Sequence, residues 1–310
     1  MSLTVLEPGL ASRIVDAGRP RSRSLGVSVG GAADRRSLAL GNSLIGNRAD
    51  AAALEIALKG PRLRAETDVG GVLFGAPFEA QRDGYPIEAG HTFTLRAGEE
   101  LGIGGTPVGA RAYLCVRGAF HVRTILASRS AFEPLGQGEI LACDLSTIPP
   151  RFCPELQMRV PEVWTVSVLP GLQASWFRDE AFYEQVFTVT AASNRMGLRL
   201  QGKPLARPDR EMVSEAVCPG SVQVTREGQC IVLGVDGQTI GGYPKIAQVI
   251  QADLDFLGQL RPGQRIDFKK VTMQDAIKRD RQAQADLRLW TLRLRLSLDA
   301  FPVLSAVRGP

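Results

Sequence analysis

The 310-residue sequence predicts a mainly β protein with a few helices. Three observations carry this. Short segments of alternating apolar residues recur roughly every eight to twelve residues, the rhythm of a barrel or sandwich. Turn formers are abundant, with 33 glycines and 19 prolines between those segments. Helical spacing is confined to "DRRSLALGNSLIGN", "ASWFRDEAFYEQVF" and "TMQDAIKRDRQAQADLRL".

Taken in order, "LTVLEPGLASRIVDAGRP" reads as strand, turn, strand, broken at Pro8-Gly9 and again at Gly18-Arg19-Pro20. A helix follows, with Asp34 as N-cap and Gly46-Asn47 as its stop. "AAALEIALKGP" fits helix or strand; the Gly60-Pro61 stop and the strand-like "GGVLFGA" after it favour strand. From Asp68 to Asp144 come "GVLFGA", "TFTLRAG", "ELGIGG" and "RAYLCVRGAF", all strand-like. Pro149, Pro150, Pro154 and Pro161 then mark a boundary. The expected division is residues 1–155, residues 156–285 and a C-terminal extension, 286–310.

The second half continues in the same style. "VWTVSVLPG", "TVTAASNRMGLRLQG", "GSVQVTREGQCIVLGV" and "QRIDFKKV" read as strands, and "ASWFRDEAFYEQVF" as a helix. Thr272 is an N-cap, with Asp275 standing in for the Glu of a capping box. The tail "LRLRLSL" alternates like a strand.

Composition narrows the function. The net charge is +5 and is spread along the chain. No basic stripe with interleaved aromatics occurs, so nucleic-acid binding is not expected. No apolar run approaches a membrane span and no signal peptide is seen, so a cytoplasmic protein without membrane attachment is expected. The five cysteines form no CxxC pair, which points to reduced thiols. His91 and His121 are too few for a zinc site, so no metal is expected. The absence of a Met-Lys-Met segment argues that no biotin is attached to this chain.

Two short motifs suggest chemistry but read better as structure. "GVSVG", Gly26 to Gly30, matches a nucleophile elbow, yet no helix follows it directly. "GLRLQGKP" is a phosphate loop lacking the Ser or Thr after its Lys; it reads as a strand ending in a turn. Two other segments hold more polar groups than a plain barrel needs. In "ASNRMG", Asn194 and Arg195 sit where a strand turns, and Arg195 can fork onto a carboxylate or phosphate. A salt-bridged surface arginine fits the same residues. In "VDGQTIGGYPKIAQVI", Asp236, Gln238 and Thr239 precede Gly241, Gly242, Tyr243 and Lys245. Either a ligand approaches the bare glycines, or a polar hairpin is simply solvated.

These residues also carry a resemblance. "SNRMGLRLQG", "SEAVCPGSVQV" and "DGQTIGGYPKIAQVIQADLDFLGQLRPGQRIDF" closely resemble the carboxyltransferase subdomain A/B family, once called allophanate hydrolase subunit 2. "EPGLASRIVDAGRPRSRSLGVSVGGAADRRSLALGNSLIGN", "ALEIALKGP" and "LPGLQASWF" agree with it as well, over roughly residues 3–285. The chain departs from the family pattern in "VRGAFHVRTILASRSAFEPLGQGEIL", where Ala119 and Ala127 stand for Gly and Ala131 for Thr. Ser28 replaces a usual Pro, Gly30 a usual Ser and Gly237 a usual Arg.

The resemblance implies two cyclophilin-like β-barrel subdomains. It implies a subunit of an ATP-dependent 5-oxoprolinase-type hydrolase acting on a small lactam or amide. Its partners would be a subdomain C/D counterpart and a third, catalytic polypeptide, with ATP held by the complex or by this chain. The alternatives are a non-catalytic antagonist of a kinase inhibitor, which the altered first half would suit, and the carboxyltransferase subunit of a biotin-dependent urea or amide carboxylase. On the matched positions, Lys245 would meet a carboxylate or developing oxyanion and Arg195 would be a second anion clamp. Asp236 would orient one of the two. Gln238, Thr239, Gly241, Gly242, Tyr243 and Asn194 would shape the pocket, with Asn42, Asn47 and Glu55 contributing from the first barrel.

Overall fold

The computed structural model of the chain describes residues 1–153, 161–177, 180–206, 210 and 212–299. The first half is built from β1 (Ser2–Glu7), β2 (Ala11–Val15), helix α1 (Arg35–Leu44), β3 (Ala53–Ala57), β4 (Arg62–Ala65) and β5 (Val69–Gly75). β6 (Ala80–Arg82), β7 (Tyr85–Ile87), β8 (Thr92–Leu95), β9 (Glu100–Ile103), β10 (Arg111–Val116) and β11 (Ile140–Ala142) complete it. These strands form two antiparallel sheets, in the orders β11-β1-β4-β9-β6-β7 and β2-β3-β10-β5-β8.

The alternation read from the sequence explains the packing. In β1, Leu3 and Val5 point inward, and in β4 Leu63 and Ala65 do the same while Arg62 and Arg64 face solvent. They meet Leu54, Ile56, Leu73 and Leu114 of the second sheet in one core. The second sheet is covered on its other face too. There Val72, Phe74, Tyr113 and Cys115 pack on Leu38, Leu40 and Leu44 of α1. This is why "VGGVLFG" and "RAYLCV" are apolar almost throughout instead of alternating. Gly41 allows the close helix–sheet approach, because a Cβ there would lie 2.9 Å from the Phe74 side chain. Asp34 caps α1 as expected, accepting from the Ser37 N–H at 2.9 Å.

In the second half come β12 (Val163–Pro170), helix α2 (Glu180–Tyr183), β13 (Phe187–Val189), β14 (Gly197–Gln201) and β15 (Glu215–Ala216). β16 (Ser221–Val224), β17 (Cys230–Leu233), β18 (Ile240–Gly241), β19 (Lys245–Val249), helix α3 (Leu254–Leu257), β20 (Arg265–Lys270) and helix α4 (Met273–Asp299) follow. Seven of these strands close a barrel in the order β12-β19-β16-β17-β14-β13-β20. Its closure joins β12 to β20 in parallel. β15 and β18 form a separate two-stranded ladder that pairs Glu215 with Gly241.

Two expectations are corrected. "ASWFRDEAFYEQVF" is not one helix but a 3₁₀ turn, Ala174–Trp176, and the four residues of α2. The tail "LRLRLSL" is helix, not strand, and α4 runs through residue 286 without a break. Leu and Arg are strong helix formers, and no turn residue separates them from the capped start. The start is the expected box: the Asp275 N–H donates to Thr272 Oγ1 at 3.1 Å, and the Thr272 hydroxyl donates to Asp275 at 2.7 Å. Leu287, Trp290 and Leu294 recur at helical spacing and pack against the α1 layer of the first half. Arg151 secures the far end. It donates to the carbonyl of Leu44, to that of Leu294 at 2.8 Å, and to the Ser297 hydroxyl. Among the described residues, no helix is long and apolar enough to cross a membrane.

Candidate active site

Three places gather the polar residues. The first lies between the halves. Arg195, on the turn between β13 and β14, donates Nε to Asp236 Oδ2 at 2.7 Å and Nη2 to Asp236 Oδ1 at 2.9 Å. It also donates to Glu55 of β3 and, at 2.7 Å, to the Gly31 carbonyl. Glu55 further accepts from the Ala33 N–H and the Tyr113 hydroxyl, both at 2.9 Å, and lies 3.4 Å from Arg111 Nε. Arg13 reaches Asp236 at 3.4 Å. Burial alone would raise the Glu55 carboxyl, but Arg195 and Arg111 outweigh it and hold the group below its usual value. Burial likewise works against the Arg195 charge, and Glu55 and Asp236 reverse that, raising its pKa.

The sequence placed Arg195 as an anion clamp. The anions the structure gives it are the chain's own Asp236 and Glu55. The adjoining cavity is only about 50 Å³, whereas small-ligand sites usually exceed about 300 Å³. Beside it, Asp255 pairs with the Arg35 N–H at 3.1 Å. Burial and the neighbouring Asp34 push the Asp255 carboxyl up to about 7.

The second place is around Lys245, the first residue of barrel strand β19. Its side chain is buried, and its ammonium donates to Glu215 on β15. Gln173 ties the arrangement together. Its Oε1 accepts from the Lys245 N–H at 3.1 Å, and its Nε2 donates to the Glu215 carboxylate at 3.2 Å. Those bonds from Lys245 and then Gln173 hold Glu215 below its usual pKa. Gly171 is required here, since a Cβ would come within 2.2 Å of the Lys245 carbonyl oxygen. Gly241 gives room to Gln223, whose Nε2 would lie 2.5 Å from an added Cβ and which donates to the Tyr243 carbonyl at 3.4 Å. Gln238, Gly242 and Tyr243 are exposed and Thr239 is half-buried.

The third place is a cleft of about 1320 Å³ in the first half, lined by Asp16, Arg19, Asn47, Arg48, His121 and Arg129 among others. Asn47 is buried in its wall. It donates to the Val116 carbonyl at 2.8 Å and to Asn42 at 3.0 Å, and accepts from the Gly118 N–H at 3.0 Å.

The structure therefore joins Arg195, Asp236 and Glu55 in one group and Lys245, Gly241 and Tyr243 in another. Asp236 bonds Arg195 and Arg13, and Lys245 bonds Glu215. Asn194 closes its own turn, accepting from the Met196 N–H at 2.9 Å, and lines the small cavity beside Arg195. Glu215, Gln173 and Gln223 were not singled out from sequence, although Gln173 and Glu215 lie in "LPGLQASWF" and "SEAVCPGSVQV", stretches that carry the resemblance. "GVSVG" is an irregular turn preceding α1, and "GLRLQGKP" contains β14 of the barrel.

Residues 25–270 match the family model described as carboxyltransferase domain, subdomain A and B. The chain belongs to this family. It is 36% identical over 305 residues to the C subunit of 5-oxoprolinase from Escherichia coli, covering 94% of this chain and 98% of that protein. It is 34% identical over 298 residues to the corresponding 5-oxoprolinase polypeptide of Haemophilus influenzae, covering 89% of this chain and 93% of that protein. A solved structure of TTHA0988 superposes with a TM-score of 0.80 at 36% identity, over 86% of this chain and 55% of that one. The Kluyveromyces lactis urea carboxylase gives a TM-score of 0.86 at 25% identity, over 93% of this chain but 29% of that one. The chain thus spans about half of TTHA0988 and less than a third of the urea carboxylase.

Proposed function

We propose that the chain is a subunit of an ATP-dependent 5-oxoprolinase-type hydrolase that opens a small lactam or amide. It would act with a subdomain C/D counterpart and a third, catalytic polypeptide, in the cytoplasm. One observation carries this reading: the end-to-end match to the Escherichia coli 5-oxoprolinase polypeptide, which covers nearly all of both chains. The Lys245 site is consistent with it. A lactam acid brings a carboxylate and, on ring opening, a developing oxyanion, and a desolvated ammonium suits either. Glu215 occupies Lys245 from a two-stranded ladder outside the barrel, with 42% of its side chain exposed. A substrate anion can replace such a carboxylate at small cost. Gln173 and Gln223 would then orient the bound group, with Gln238, Thr239 and Tyr243 shaping the pocket.

ATP would supply the driving force for ring opening, held by the complex or by this chain. The stretch "GLRLQGKP" contains barrel strand β14, so it is a strand ending in a turn and not a phosphate loop. The likeness to the urea carboxylase supports a second reading, carboxyl transfer to an amide nitrogen with a separate biotin carrier. The test is to purify the chain with its counterpart and third polypeptide and follow 5-oxoproline. ATP-dependent conversion to glutamate is expected. Inert 5-oxoproline, with urea or an amide carboxylated in its place, would overturn the oxoprolinase reading for the second.

A further inference from the structure

The large cleft of the first half is independent of the Lys245 site, and its wall is built in an unusual way. Asp16, buried at the end of β2, accepts from the Ser128 and Ser130 hydroxyls, both at 2.6 Å. It also accepts from the Arg129 N–H at 2.5 Å and the Gly18 N–H at 2.8 Å. Four donors around one buried carboxylate fix the backbone on both sides of Arg129. The loop reaches this position through strained conformations. Ala119, Leu126 and Ala127 have φ of 70°, 50° and 59°, a region disfavoured for side-chain-bearing residues. Side-chain-bearing residues held at positive φ are a strain that the surrounding structure must hold in place.

The charges of the cleft are unevenly satisfied. Asp16 is enclosed as described. Asp50 is held by Arg48 at 2.9 Å, and His121 faces Asp144 at 3.2 Å. Asn47 has its three partners within the wall. Arg129 makes no side-chain hydrogen bond or ion pair among the described residues, although it lines the same cleft. Arg19 also lines it. It is fully buried and stacks 3.9 Å over the Phe132 ring, and its Nε finds no partner. Among the described residues Asp16 is met only by hydroxyl and N–H donors, and Asp50 is held chiefly by Arg48 with the Arg129 charge nearby. Arg19 gives one donor to the Ser130 carbonyl, while Arg129 keeps its donors for the cleft.

We propose that this cleft binds an anionic oxygen group, a carboxylate or a phosphoryl group of a small ligand, with Arg129 as the cation that meets it. A guanidinium on a fixed backbone is suited to either group, because its fork matches two oxygens at once. The proposal deepens the oxoprolinase reading and rests on it for the choice of probes: 5-oxoproline and glutamate for the carboxylate, inorganic phosphate and ADP for the phosphoryl group.

The experiment is calorimetric titration of the purified full-length chain with each probe, carried out in a Lys245→Met background so that binding at the barrel site does not contribute. The Arg129 variants are made in the same background. At least one class binds, and Arg129→Ala weakens it by about ten-fold or more, as expected for loss of a charge-assisted hydrogen bond. Arg129→Lys restores part of the affinity. Arg226→Ala, which removes an exposed charge from the barrel, leaves it unchanged. Binding by the amino-acid probes alone identifies a carboxylate site, and binding by phosphate and ADP identifies a phosphoryl site. No binding by any probe overturns the proposal, as does binding that Arg129→Ala leaves intact. An inactive reconstituted complex whose isolated chain still binds through Arg129 would count against the oxoprolinase reading only.

Discussion

Arg195 and Lys245 are both largely buried cations of the second half, and both are paired with carboxylates, but their surroundings differ. Arg195 is held by four hydrogen bonds, and one partner, Glu55, has only 2% of its side chain exposed and comes from the other half of the chain. Among the described residues Lys245 pairs with one carboxylate, Glu215, which is 42% exposed and carried on a two-stranded ladder. A buried network is costly to break, because removing one member strands an unpaired charge. A pair with one member in water exchanges partners easily. The same chemistry therefore serves as a brace between halves in one place and, in the other, as a buried charge whose partner reaches solvent.

The sharpest way to break the comparison is at Glu55. Glu55→Ala leaves Arg195, Arg111 and the Tyr113 hydroxyl short of an acceptor. We expect a loss of about 3–5 kcal/mol in denaturant unfolding. A loss below about 1 kcal/mol would mean that Arg195 does not brace the halves. Next in size is a change in pH dependence. The folded Asp255 carboxyl keeps its proton to about pH 7, while the unfolded one releases it near 3.8. The folded state thus binds more protons across that window, and Asp255 makes stability fall as pH rises through it. Glu55 acts in the opposite sense: its contribution is present above its unfolded value and lost as pH falls through its lowered folded value. Asp255→Asn should remove the decline between about pH 4 and about pH 7, measured as the unfolding midpoint. An unchanged slope would contradict the assignment.

A smaller effect is expected at the C-terminal helix. Arg151→Ala frees the carbonyls of Leu44 and Leu294 and should cost about 1–2 kcal/mol. Trp290 fluorescence, reporting the end of α4, should shift to the red before the rest of the chain unfolds. Smallest of all, Glu215→Gln should leave the unfolding midpoint in place, while changing the KM of the reconstituted complex more than its kcat.

The sequence showed the strands of the fold well, because β1 and β4 alternate strictly and β5 and β10 are continuous apolar runs between turns. It misled in the tail. "LRLRLSL" has a local period of two, and only the longer spacing of Leu287, Trp290 and Leu294 reveals the helix. The site was legible in part. Lys245 and Arg195 stand out by type on glycine-rich turns. Their partners do not, because Glu215 lies 30 positions from Lys245, and Glu55 lies 140 from Arg195. Pairing over such distances is set by barrel closure and by docking of the halves, and local pattern holds no trace of it. The cage around Asp16 was hidden for the same reason, 112 positions separating it from Ser128.

The central claim is that the Lys245 charge serves turnover and the Arg195 charge serves architecture. It is tested most directly by Lys245→Met in the reconstituted complex, with kcat/KM for 5-oxoproline and the unfolding midpoint measured on the same preparation. The account predicts that turnover is lost while the midpoint stays with the parent. Near-normal turnover, or collapse of the fold together with activity, would contradict it.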